Sequence, residues 1–133
     1  MTANEVKAPG AADASPQVVM IVEDEFLIRL LLSEALRLEG YAVMEAASAD
    51  EAFSVLLASP DPDILVTDVR MPGAADGLEL AAFVRRTKPG LKVIITSGHA
   101  GADRVLGLAD AFMPKPYELD AILRRIRALT ADA

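Results

Sequence analysis

A chain of 133 residues has room for one domain with one core and too little for a second unit of similar size. Its 53% apolar residues and mean hydropathy of +0.32 exclude overall disorder, while 5% aromatics and no Trp require an aliphatic core. A net charge of −7 argues against nucleic-acid binding and for a divalent cation or a basic partner surface. The absence of cysteine removes disulfides, thiolate metal sites and a Cys nucleophile, and one histidine cannot make a multi-histidine metal site.

Residues 1–16, rich in small residues with Pro9, Gly10 and Pro16, are expected to form a flexible N-terminal tail; residues 17–131 form the domain. The start lacks the pattern of a signal peptide, and no apolar run is long enough to span a bilayer, so the cytoplasm is the expected location. The continuous apolar run at 18–22 predicts a strand buried on both faces. A helix is predicted over 26–39, from the helical recurrence of Leu27, Leu30, Leu31, Ala35 and Leu38, with Gly40 as its stop. A shorter strand follows at 41–45. Ser48 and Glu51 are spaced as a capping box for a second helix carrying Ala52, Val55 and Leu56 and ending before Pro60.

The third strand, 64–67, ends at Asp68 and runs into a Gly/Pro-rich loop over 71–77. A helix at 78–88 is closed by Pro89-Gly90, and a fourth strand occupies 93–96. A short helix is expected over 98–108, weak because it is rich in Gly and Ala. A brief fifth strand at 111–113 cannot extend past Pro116, and the last helix spans 117–129, with Leu119, Ile122, Leu123 and Ile126 on one stripe. Strands alternating with helices predict an α/β fold, a parallel sheet covered on both faces through right-handed crossovers.

Ligand sites of such sheets lie beyond the carboxyl ends of the strands. There the first strand offers Glu23-Asp24-Glu25, the third Asp68, the fourth Thr96-Ser97 and the fifth Lys115-Pro116. Carboxylates of this kind suit Mg2+, and a carboxylate can be a nucleophile that forms an acyl phosphate. Lys115 and the metal would neutralise the charge of an incoming phosphoryl group, and Thr96 could donate to one of its oxygens. Each residue alone has a plainer role: Asp24 as a helix cap, Asp68 as a turn former, Lys115 as a solvated loop residue and Thr96 as an ordinary strand residue. Their coincidence at one rim favours a shared site.

The segments VVMIVEDE, ILVTDVRMPG, DGLELA, VIITSGH and FMPKPY, in this order, resemble the response-regulator receiver family over 17–129. The resemblance implies a flavodoxin-like five-stranded parallel sheet of order 2-1-3-4-5 with five helices. It implies that Asp68 accepts a phosphoryl group from a histidine kinase or a histidine phosphotransfer protein, with Mg2+ as cofactor. Asp24 resembles the direct metal ligand, Glu23 the acidic neighbour acting through water, and the backbone carbonyl of Arg70 the third protein ligand. Lys115 resembles the lysine that pairs with acceptor and phosphate, and its bond to Pro116 is expected to be cis. Thr96 and Phe112 resemble the switch pair that changes the face of the fourth helix, fifth strand and fifth helix toward a downstream protein.

Three features depart from the common pattern: Glu23 in place of Asp, Phe112 in place of Tyr, and a loop, MPGAADG, one residue longer than usual. The expected protein is a stand-alone receiver without nucleic-acid or membrane partners, not an enzyme beyond its own phosphorylation and dephosphorylation. The competing readings are a degenerate receiver acting as a phosphorylation-independent binding module, and a small Mg2+-dependent phosphatase, for which the chain leaves no room for a substrate cap.

Overall fold

The computed structural model describes residues 15–98 and 107–131. The apolar runs become five parallel strands, β1 (Val18–Val22), β2 (Ala42–Ala46), β3 (Ile64–Asp68), β4 (Lys92–Ser97) and β5 (Ala111–Pro114). They hydrogen-bond in the order β2-β1-β3-β4-β5. β3 is buried at every residue, because helices cover both faces of a central parallel strand. β1 and β3 are immediate neighbours, with Val22 opposite Thr67, so their carboxyl ends finish side by side.

Alternation along the strands divides the core in two. Met20, Leu65, Val93 and Ile95 face α2 (Ala49–Ala58) and α3 (Gly77–Thr87), and Val19, Ile64, Val66 and Ile94 face α1 (Phe26–Leu38) and the C-terminal helix α4 (Leu119–Thr130). Ser48 caps α2 by accepting from the N–H of Glu51, and Asp76 caps α3 in a full capping box with Glu79. Phe53 of α2 meets Phe83 of α3 edge-on at 5.2 Å between ring centroids.

The fold class and strand order are those expected. Four helices are present among the described residues. The helix expected over 98–108 falls mostly outside them; Gly98, Gly107 and Leu108, which are described, are not helical, and Gly107 has φ of 81°. Residues 1–14 of the expected tail and His99 also lie outside the described residues.

The inward face of α1 differs from the stripe read in the sequence. Leu32, Ser33 and Leu36 are buried, while Leu27, Leu31 and Leu38 are exposed. Leucines surround this helix on more than one side, so spacing alone does not select the side that packs. The last helix begins at Leu119 rather than Tyr117, with Glu118 as its N-cap.

One glycine sets how closely α3 approaches the sheet. Gly77 is buried at the first position of α3, and its N–H donates to the Val69 carbonyl at 2.9 Å. A Cβ there would collide with the Asp68 carbonyl oxygen and stand 3.0 Å from Val69 Cα. Gly77→Ala is therefore expected to cost about 1–3 kcal/mol in urea unfolding, as overpacking does. Gly90→Ala, where nothing lies within 4 Å, should be close to neutral. Ile94→Ala, in the fully buried centre of β4, should lower unfolding free energy by about 2–5 kcal/mol in the same assay.

Candidate functional site

The carboxyl ends of β1 and β3 and the turn after β5 meet at one rim. The N–H of Glu23 donates to the Ala46 carbonyl at 3.0 Å, prolonging the β1–β2 ladder by one residue and turning the Glu23 side chain inward. Glu23 is 3% exposed and Asp68 8%, whereas Asp24 is exposed. One carboxylate oxygen from each of Glu23, Asp24 and Asp68 lies within 4.8 Å of the others.

Lys115 closes this acidic group. Its backbone N–H donates to the Ser97 carbonyl at 2.8 Å, which ties the turn after β5 to the end of β4. The Lys115-Pro116 peptide is cis. The ammonium then donates to Glu23 Oε1 at 2.7 Å and to Asp68 Oδ2 at 2.9 Å. The remaining carboxylate oxygens are also engaged: Glu23 Oε2 accepts from the Glu25 N–H at 3.1 Å and Asp68 Oδ1 from the Val69 N–H at 2.8 Å. Arg29 donates to the Glu23 carbonyl at 2.8 Å and also pairs with Glu45, so Glu45 belongs to a surface network rather than to the site.

Burial and charge shift the protonation of these groups. Burial pushes the Glu23 carboxyl above its usual range, and the Lys115 hydrogen bond recovers only part of that. Burial works against the Lys115 ammonium, but hydrogen bonds to Glu23 and Asp68, with the charges of both, hold its pKa above the ordinary lysine value. The site thus keeps its cation at neutral pH.

Thr96 is buried and stands directly opposite Asp68 in the β3–β4 register. Arg70 is exposed, two residues past Asp68. Phe112 is half-buried opposite Ile95 and packs with the α2–α3 side of the core. The site therefore gathers Glu23, Asp24, Asp68 and Lys115, with Thr96 alongside; Phe112 sits one strand position away, in the core.

Tyr117 was not singled out from the sequence. Burial, then the Glu23 charge, pushes its phenol up to about 12, so it remains protonated beside the pocket. Its place two residues after Lys115 was the available signal. Gly77 was missed as well, because its contact with the Asp68 backbone exists only in three dimensions.

Hard oxygen donors from three carboxylates, with more negative than positive charge among them, fit a cation such as Mg2+. No helix among the described residues is long and apolar enough to cross a membrane.

Comparison with known proteins agrees with this geometry. Residues 19–127 match the family model described as the response regulator receiver domain. The chain is 38% identical over 118 residues to "Response regulator MprA" of Mycolicibacterium vanbaalenii, covering 86% of this chain and 50% of that protein. It thus spans about half the length of the curated relatives it matches. Among solved structures, the CheY-like receiver domain protein of Methanospirillum hungatei superimposes with a TM-score of 0.80 at 28% identity, covering 88% of this chain and 96% of that one. Response regulator TrrA of Thermotoga maritima, solved in complex with Mg2+-BeF, gives a TM-score of 0.76 at 30% identity, covering 85% and 98%. On the matched segment, the strand order and the acidic rim, the chain belongs to the response regulator receiver domain family.

Proposed function

We propose that the chain is a phosphoryl-accepting switch in which Asp68 is the acceptor. The observation that carries this reading is the Lys115 ammonium held between Glu23 and Asp68, with the Asp24 carboxylate in the same group. A buried carboxylate is a poor target for an anionic phosphoryl group unless cationic charge stands beside it.

The proposed donor is a phosphohistidine on a histidine kinase or a histidine phosphotransfer protein. An Asp68 oxygen attacks phosphorus and the P–N bond breaks. Its electron pair stays on the imidazole nitrogen, which takes a proton from solvent. The products are an acyl phosphate on Asp68 and a neutral histidine on the donor.

Asp24, Asp68 and the Arg70 carbonyl are the proposed ligands of Mg2+, with Glu23 acting through water. When bound, Mg2+ would supply positive charge to the phosphoryl oxygens. Lys115 neutralises Asp68 before the reaction and is within reach of the phosphate after it. The Val69 N–H orients Asp68 by holding Oδ1. Thr96, on the neighbouring strand, donates its hydroxyl to a phosphoryl oxygen. Its movement, coupled to the Phe112 ring, alters the surface around β5 and the C-terminal helix, which a downstream protein reads.

The chemistry is self-modification, with no metabolic substrate. A cytoplasmic setting, where nucleotide-charged kinases act, goes with the proposal. A phosphorylation-independent binding module is the weaker reading, because every position the chemistry needs carries a competent side chain.

With Mg2+ and acetyl phosphate, intact-mass measurement should show a gain of one phosphoryl group, absent in Asp68→Asn and absent when EDTA removes the cation. Failure of the parent protein to gain mass with any small donor or phosphohistidine protein would leave the binding-module reading. Lys115→Met should leave Glu23 and Asp68 without their shared counter-charge and cost about 3–5 kcal/mol in metal-free urea unfolding. Saturating Mg2+ should restore part of that loss by binding the native state. An equal effect of Mg2+ on parent and variant would contradict the role given to the ammonium.

A further inference from the structure

We propose that Asp50 is a positioning residue for the cation-binding side of the site, acting through the loop that follows Asp68; this rests on the reading of Asp68 and the Arg70 carbonyl given above. Asp50 lies in the first turn of α2, on a different element from every residue assigned to the site. Its carboxylate reaches across to the loop between β3 and α3. Oδ2 accepts from the Ala74 N–H at 2.9 Å and Oδ1 from the Ala75 N–H at 3.2 Å. Two successive amides are thus held by one carboxylate, as in an anion-binding nest.

Gly73 supplies a separate sign that the loop is shaped around this carboxylate. Its φ is 113°, in the left-handed region, and a Cβ built there would collide with Asp50 Oδ2. The left-handed turn favours glycine at this position, and a Cβ there would displace the Asp50 carboxylate from its place.

The consequence follows from where the loop is held. Val69 secures its start, through the N–H bond to Asp68 Oδ1 and the carbonyl bond from Gly77. The capping box of Asp76 and Glu79 secures its end. Asp50 holds the middle, so Arg70 to Gly73 form a span anchored at both ends. This loop carries one residue more than the common receiver pattern, and a longer loop has more conformations to lose on ordering. The carboxylate limits them, and with them the positions open to the Arg70 carbonyl.

Mg2+ affinity by titration calorimetry, amide hydrogen exchange and urea unfolding would be measured for the parent, Asp50→Ala and Asp50→Asn. In Asp50→Ala the Mg2+ dissociation constant should rise about tenfold, as when a group supporting a metal ligand is removed. Exchange at the Ala74 and Ala75 amides should quicken about tenfold, the loss expected of one net hydrogen bond. Sheet amides and the urea midpoint should stay near the parent's. Asp50→Asn, which keeps one oxygen acceptor, should fall between parent and Asp50→Ala. Gly73→Ala should weaken Mg2+ binding less in the Asp50→Ala background than in the parent, because one of its two penalties is gone. Mg2+ affinity within twofold of the parent in both Asp50 variants, with faster exchange at Ala74 and Ala75, would overturn the inference while leaving the site intact. A parent protein that binds no Mg2+ would overturn the reading of the site and the inference together.

Discussion

An ammonium wedged between two buried carboxylates governs how this rim is built. Taking Glu23 and Asp68 out of water side by side is unfavourable for either carboxylate alone and worse for the pair. Lys115 removes the conflict with bonds of 2.7 and 2.9 Å, and it brings the turn after β5 against the ends of β1 and β3. Three strands distant in sequence are thereby tied at the acidic rim. A buried ion group of this kind contributes little net stability compared with apolar packing, so its presence points to chemistry.

The sheet makes that meeting possible. With the order β2-β1-β3-β4-β5, β1 and β3 are adjacent although α1, β2 and α2 lie between them in the chain. Their carboxyl ends project to the same side because the strands are parallel. The helices contribute by packing and by their caps. Asp76 and Glu79 fix the start of α3, and Gly77 lets that start seat against the end of β3.

Much of this was legible in the residues. Short aliphatic runs such as Val18–Val22 and Ile64–Asp68 can only be strands buried on both faces in a chain this size, and whatever follows them must sit at the rim. That logic brought out Glu23, Asp24, Asp68, Thr96 and Lys115 together. Information was lost where the pattern was degenerate or the contact remote. Leucines on several sides of α1 hid which of them packs inward, and Leu32 and Leu36, not Leu27 and Leu31, are buried. The burial of Glu23 and its direct bond to Lys115 were likewise not readable from its place next to Asp24. Asp50 looks like an ordinary acidic residue in a helix's first turn; its bonds to amides 24 and 25 residues away have no local signature.

The absent side chain at Gly77 has a mechanical meaning. The rod formed by Gly77–Thr87 begins on the main chain of Asp68, with no cushion of side-chain atoms between them. Close-packed interiors have few voids in which a small displacement can be dissipated. A shift of the main chain at the end of β3 is therefore expected to be handed directly to the start of this helix rather than absorbed between them.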